Sequence, residues 1–110
     1  MPILEVDVEA LETAMAQGAL VVDVRQPDEY EAGHVPGAVL VPLGEVPDHV
    51  DQFRPPSGSG TVYVICRSGA RSMRACEFVT QHGIDAVNVA GGTLAWVAAG
   101  RDVVTGSRPL

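Results

Sequence analysis

Apolar and polar positions fall in blocks whose period changes along the chain, and these blocks predict alternating strands and helices. Ile3 to Asp7 reads as a short strand. Val8 to Gln17 reads as a helix with Leu11, Ala14 and Met15 on one face, stopped by Gly18. Ala19 to Val24 is the clearest buried strand, apolar up to Asp23 and closed by Arg25. Pro27 to Glu31 predicts a short helical turn with proline well placed at its start. Gly33 to Gly37 forms a turn-rich link into a strand over Ala38 to Val41, and Leu43 to Phe53 is helical in part, with Pro47 limiting where it starts. Arg54 to Gly60 has the composition of a mobile surface linker.

Thr61 to Ile65 is a β-branched and aromatic run of strand length. After Ser72 the period becomes helical: Ser72, Ala75, Cys76 and Val79 share a stripe, with Arg74, Glu77 and Gln81 opposite and Gly83 as the stop. Ala86 to Val89 is a further buried strand, Gly91-Gly92 a turn, and Thr93 to Ala99 a last helix. Trp96 falls on a helix face with Gly92 and Ala99, which suits core or substrate-rim packing. The tail from Gly100 to Leu110 is expected to order only in part. Strands alternating with helices imply an α/β domain built on a mainly parallel sheet covered on both faces.

Composition narrows the class. The 110 residues fit one domain, with a core over about residues 3–100, and 46% hydrophobic content suits an ordinary globular chain. A formal net charge of −7 disfavours nucleic acid and anionic membrane as partners, since both need basic footprints. Nothing near the N-terminus resembles a signal or membrane segment. A cytoplasmic, reducing location is therefore expected, with Cys66 and Cys76 both free thiols.

The local exception to the acidic balance carries the chemistry. Cys66 stands where a strand ends, followed by a Gly-bearing loop, Arg67-Ser68-Gly69-Ala70-Arg71-Ser72, that opens into a helix. Unpaired N–H groups and the helix dipole make such a turn a cradle for an anion. Arg67 and Arg71 add two permanent charges able to grip oxyanions. A thiol placed there is expected to be ionised near neutral pH, since such settings lower cysteine pKa values to roughly 3.5–7.5. Cys66 is thus a candidate nucleophile rather than an inert core cysteine.

The run Cys66-Arg67-Ser68-Gly69-Ala70-Arg71-Ser72 resembles the active-site loop of the rhodanese-like sulfurtransferases. Val22-Asp23-Val24-Arg25, Glu29-Tyr30 and Gly33-His34-Val35-Pro36-Gly37-Ala38 are similar to that family's N-terminal signature, and Gly91-Gly92 with Trp96 to its C-terminal one. The resemblance implies a three-layer α/β/α fold with five strands. It also implies sulfur transfer from thiosulfate or a similar donor to cyanide or a thiol through a Cys66 persulfide, with a protein thiol as a further acceptor. In that reading Arg67, Ser68, Gly69, Ala70, Arg71 and Ser72 bind the substrate, and no cofactor or metal is needed.

Other readings stay open beside it. A non-catalytic or carrier module, delivering persulfide, sensing redox state or binding a partner, fits the same fold. A cysteine-dependent phosphatase fits less well, because the loop of the related cell-cycle phosphatases is one residue longer between cysteine and arginine. Cys76 lies on the apolar stripe roughly 9 Å down the helix, at ~1.5 Å per residue, and reads as core rather than as a resolving thiol. Asp23 with Arg25 reads as a salt-bridged structural pair, and His34 as a turn-stabilising residue rather than a base for Cys66.

Overall fold

In the computed structural model, which describes residues 2–58 and 60–110, strands and helices alternate from end to end. Met1 and Ser59, in the N-terminal stretch and the linker read above, lie outside the described residues. The strands are β1 (Leu4–Val6), β2 (Leu20–Asp23), β3 (Val39–Leu40), β4 (Thr61–Ile65) and β5 (Asp85–Val89). The helices are α1 (Val8–Ala16), α2 (Pro27–Ala32), α3 (Ala70–Thr80) and α4 (Gly92–Ala98). The segment expected to be helical in part forms two short 3-10 helices, Leu43–Asp48 and Val50–Phe53. Pro47 lies inside the first; its missing N–H prevents a continuous α-helical ladder.

The sheet is wholly parallel in the order β1-β5-β4-β2-β3, so the strand ending at Cys66 is central. Side-chain alternation along β4 sends residues to two separate cores. Val62, Val64 and Cys66 join Val22, Val24, Phe53 and the α3 stripe Ala75, Cys76 and Val79 on one face. Ile65 joins Val21, Val89, α1 residues Val8 and Leu11, and Trp96 of α4 on the other. The chain is therefore a three-layer α/β/α sandwich with a five-stranded sheet. Trp96 is buried in the second core, with its indole N–H donating to the Asp102 carbonyl at 2.7 Å.

The ends of β2 and β3 are locked by polar groups. Asp23 and Arg25 are both buried, and the Arg25 guanidinium donates to the Asp23 carboxylate through Nε at 3.0 Å and Nη2 at 2.8 Å. Nη2 also donates to the Gly33 carbonyl at 2.9 Å, so the pair ties β2 to the turn after α2. Tyr30, buried, donates its hydroxyl to the Ala38 carbonyl and stacks on the His34 ring at 3.6 Å between centroids. The buried His34 ring faces the carbonyls of Tyr30 (Nδ1, 2.8 Å) and Pro109 (Nε2, 3.2 Å). Its backbone exchanges two hydrogen bonds with Val104, and the Gly37 N–H donates to the Pro109 carbonyl. The tail is thus folded back along this segment, which its composition did not foretell. Among the described residues, no helix is long and apolar enough to cross a membrane.

Candidate active site

Cys66 follows the last residue of the central strand, at the carboxyl edge of the sheet where open α/β folds place ligands. The chain then turns through Arg67 and Ser68 to Gly69, which adopts φ +113° and starts α3. Glycine tolerates that left-handed backbone, and it lets the Gly69 N–H point back at the sulfur. The Gly69 N–H donates to Cys66 Sγ at 3.1 Å, and the Ser72 hydroxyl, one turn into α3, reaches it at 3.2 Å.

These contacts decide the ionisation of the thiol. Burial alone would raise its pKa, because a thiolate loses hydration there. Hydrogen bonds from the Ser72 hydroxyl and from the backbone N–H groups of Ser72, Gly69 and Ser68 outweigh that cost and hold the thiol below its ordinary value. Cys66 is only 1% exposed, a sulfur tucked under a loop whose Arg67, Ser68 and Ala70 face solvent. Cys76 is the contrast. It is equally buried but lacks such donors, and burial pushes its thiol up to about 12. Both cysteines are free.

The loop is clamped from the α4 side. Thr93 donates both its N–H (2.9 Å) and its hydroxyl (3.0 Å) to the Cys66 carbonyl, and the Leu94 N–H donates to the Arg67 carbonyl at 3.0 Å. This requires glycine at position 92: a Cβ there would lie 2.5 Å from both the Cys66 and Arg67 carbonyl oxygens. The turn read from Gly91-Gly92 is therefore the seat on which the loop rests.

The two arginines differ. The Arg71 guanidinium forms a two-pronged pair with Glu29 of α2, at 2.7 and 2.8 Å. That pair, with the Gln26 N–H on the same carboxylate, lowers the Glu29 pKa to about 2. The Arg71 fork is therefore already engaged, while its charge still interacts with Cys66. Arg67 is exposed and edges a groove of about 420 Å³, whose wall includes Thr93 and the exposed apolar side chains of Leu94 and Val97.

Of the seven loop residues singled out in the sequence, Ser68, Gly69 and Ser72 converge on the Cys66 sulfur, while Arg67 and Ala70 lie at the surface. His34 is engaged by Tyr30 and the tail, as a turn-stabilising residue would be. Sequence reasoning missed the partnership of Glu29 with Arg71 and the clamp made by Thr93. It also missed Asn88 of β5, a polar side chain in an apolar strand that reaches the Gly69 carbonyl. Among the described residues no three His, Cys, Asp or Glu side chains converge as a metal site requires.

A model of the rhodanese-like domain matches residues 7–99, most of the chain. The chain belongs to the rhodanese-like family. A protein named sulfurtransferase from Allochromatium vinosum is 36% identical over 103 residues, covering 91% of this chain and 94% of that one. The thiosulfate sulfurtransferase PspE of Escherichia coli is 38% identical over 71 residues, covering 64% of this chain and 67% of its own length. Among solved structures, a rhodanese-related protein from Thermoplasma volcanium superposes with a TM-score of 0.84 at 28% identity, covering 94% of this chain and 99% of its own. The rhodanese sandwich and the sulfurtransferase family membership of this chain thus agree.

Proposed function

We propose that this rhodanese-like domain moves sulfane sulfur through a persulfide on Cys66. The observation that carries the reading is the convergence of the Gly69 N–H, the Ser72 hydroxyl and the neighbouring amides on one sulfur, which draws its pKa below the ordinary thiol value. With thiosulfate as donor, the thiolate attacks the outer sulfur. The S–S bond breaks, its electron pair leaves with sulfite, and Cys66 becomes a persulfide anion. Cyanide or a thiolate then attacks the terminal sulfur and returns Cys66 as thiolate. Neither step needs a proton from an acid, which suits a site where the one histidine within a motif, His34, is occupied elsewhere.

Arg67, exposed at the rim, is proposed to meet the anionic donor, with Arg71 adding its charge from the Glu29 pair and the Ser68–Ser72 segment holding the added sulfur. The groove beside Arg67, walled by Leu94 and Val97, suits a protein thiol as acceptor as well as a small one. Residues 1–110 are proposed to work as one domain, with the last ten as part of its packing.

The test is a thiosulfate:cyanide assay with intact-mass detection on wild type and Cys66→Ser. Wild type is expected to gain one sulfur on Cys66 and to turn over. Retained turnover in Cys66→Ser would refute the assignment.

A further inference from the structure

Ser72 has one hydroxyl hydrogen and two acceptors within reach. Cys66 Sγ lies at 3.2 Å from its oxygen and the Gly69 carbonyl at 3.3 Å. A single O–H cannot serve both well. The Gly69 carbonyl already accepts from two N–H donors, the Met73 backbone at 3.2 Å and the Asn88 side-chain amide at 3.1 Å, which fill its two lone pairs. The other hydrogen of the same amide is taken by the Glu5 carboxylate at 2.8 Å, which fixes the orientation of the group. Asn88 is fully buried in β5, between Val87 and Val89, and its carbonyl oxygen finds no partner among the described residues. An orphaned buried amide oxygen is unfavourable. A strand residue retained at that cost has work for its nitrogen that valine or leucine could not do.

We infer that Asn88 is a positioning residue: by satisfying the Gly69 carbonyl it leaves the Ser72 hydroxyl hydrogen to the Cys66 sulfur. The functional weight of this arrangement rests on the proposed sulfur-accepting role of Cys66; the hydrogen-bond assignment does not. The charged and titratable groups that feel Cys66 are Arg71, in its pair with Glu29, and Cys76, both on α3, with Glu5 behind Asn88. Of these, only Glu5 loses a contact when Asn88 is replaced, and a Glu5→Gln variant shows how much of any change in Cys66 ionisation that accounts for.

The experiment titrates Cys66 by the ultraviolet absorbance of its thiolate, with no sulfur donor present, in wild type, Asn88→Leu, Ser72→Ala and the double variant. Each single replacement is expected to lower the Cys66 ionisation constant by about tenfold, the scale of one hydrogen bond to a charged group. Because Asn88 acts through Ser72, the double variant should fall no further than Ser72→Ala alone. Additive effects, or an unchanged constant in Asn88→Leu, would overturn the inference. If Asn88→Leu does not fold, the wild type decides it by NMR. Both Asn88 side-chain amide protons are expected to exchange slowly with water, and exchange at the rate of a free amide refutes the assignment. A Cys66→Ser protein still active in sulfur transfer would instead sink the proposed function and leave this hydrogen-bond network standing.

Discussion

Gly92→Ala tests how the loop is seated. The new Cβ would meet the carbonyl oxygens of Cys66 and Arg67 at 2.5 Å and the Arg67 carbonyl carbon at 2.6 Å, with Gly92 at φ +58°. All three atoms are backbone, so no side chain can swing aside. Holding a non-glycine residue in the left-handed region costs about 1–2 kcal/mol. Relief of the overlap must part α4 from the loop, which loosens the two hydrogen bonds from Thr93 to Cys66 and the one from Leu94 to Arg67. At about 1 kcal/mol for each bond, the total loss is roughly 4–5 kcal/mol, against a stability on the order of 5–15 kcal/mol for a domain. Urea unfolding followed by circular dichroism measures the loss, and thiolate absorbance shows whether Cys66 has left its donors. Gly44→Ala is the control, because its Cβ meets nothing within 4 Å and its backbone is unstrained. It should change stability by less than ~0.5 kcal/mol. If Gly92→Ala were as mild as Gly44→Ala and left the Cys66 titration unmoved, the close approach of α4 to the loop would not matter as argued.

The two thiols should titrate in opposite directions from an ordinary cysteine value of 9.0: Cys66 below it and Cys76 near 12, read by NMR of labelled cysteine. Cys76, with its raised folded-state pKa, stabilises the fold below pH 9 and ceases to do so as pH climbs towards 12, so alkaline unfolding should soften in Cys76→Ala. Glu29 behaves in the reverse sense. Its folded value of about 2 lies below the ordinary 4.5, so its contribution is present above pH 4.5 and lost as pH falls towards 2. Arg71→Ala should flatten that acid dependence in urea titrations, and should raise the KM for thiosulfate if its charge helps hold the donor. Asp23→Ala strands the buried Arg25 guanidinium without its counter-ion and should cost about 3–5 kcal/mol in urea unfolding; a loss under 1 kcal/mol would show the pair to be dispensable.

Much of this was legible in the order of residues, for reasons that differ from element to element. The α3 stripe of Ser72, Ala75, Cys76 and Val79 is buried as its spacing required, because a helix packed on a sheet hides one face only. The β2 run ending in Asp23 was readable because a strand covered on both sides has no polar alternation. The position of Cys66 at the head of the loop followed from the change of period after β4. What spacing could not show was long-range pairing. Glu29 and Arg71 are 42 positions apart, and nothing local announces that one will occupy the other's fork. Asn88 did leave a trace, an amide in the otherwise apolar run from Ala86 to Val89, and a polar residue near the carboxyl end of a buried strand merits a question about what it bonds. The tail left none, because what holds it to His34 and Gly37 is backbone, chiefly carbonyls, which every residue carries alike.

That tail has a practical bearing. Val104 pairs with the backbone of His34 while the Pro109 carbonyl meets its buried imidazole, and the corner between α2 and β3 leans on both. A purification tag or fusion partner joined directly at Leu110 would tug on this clasp, whereas one separated by a flexible spacer would leave it fastened. A protease able to cut between Asp102 and Val104 would in turn bare the Tyr30–His34 stack to water and weaken the molecule far from the cysteine.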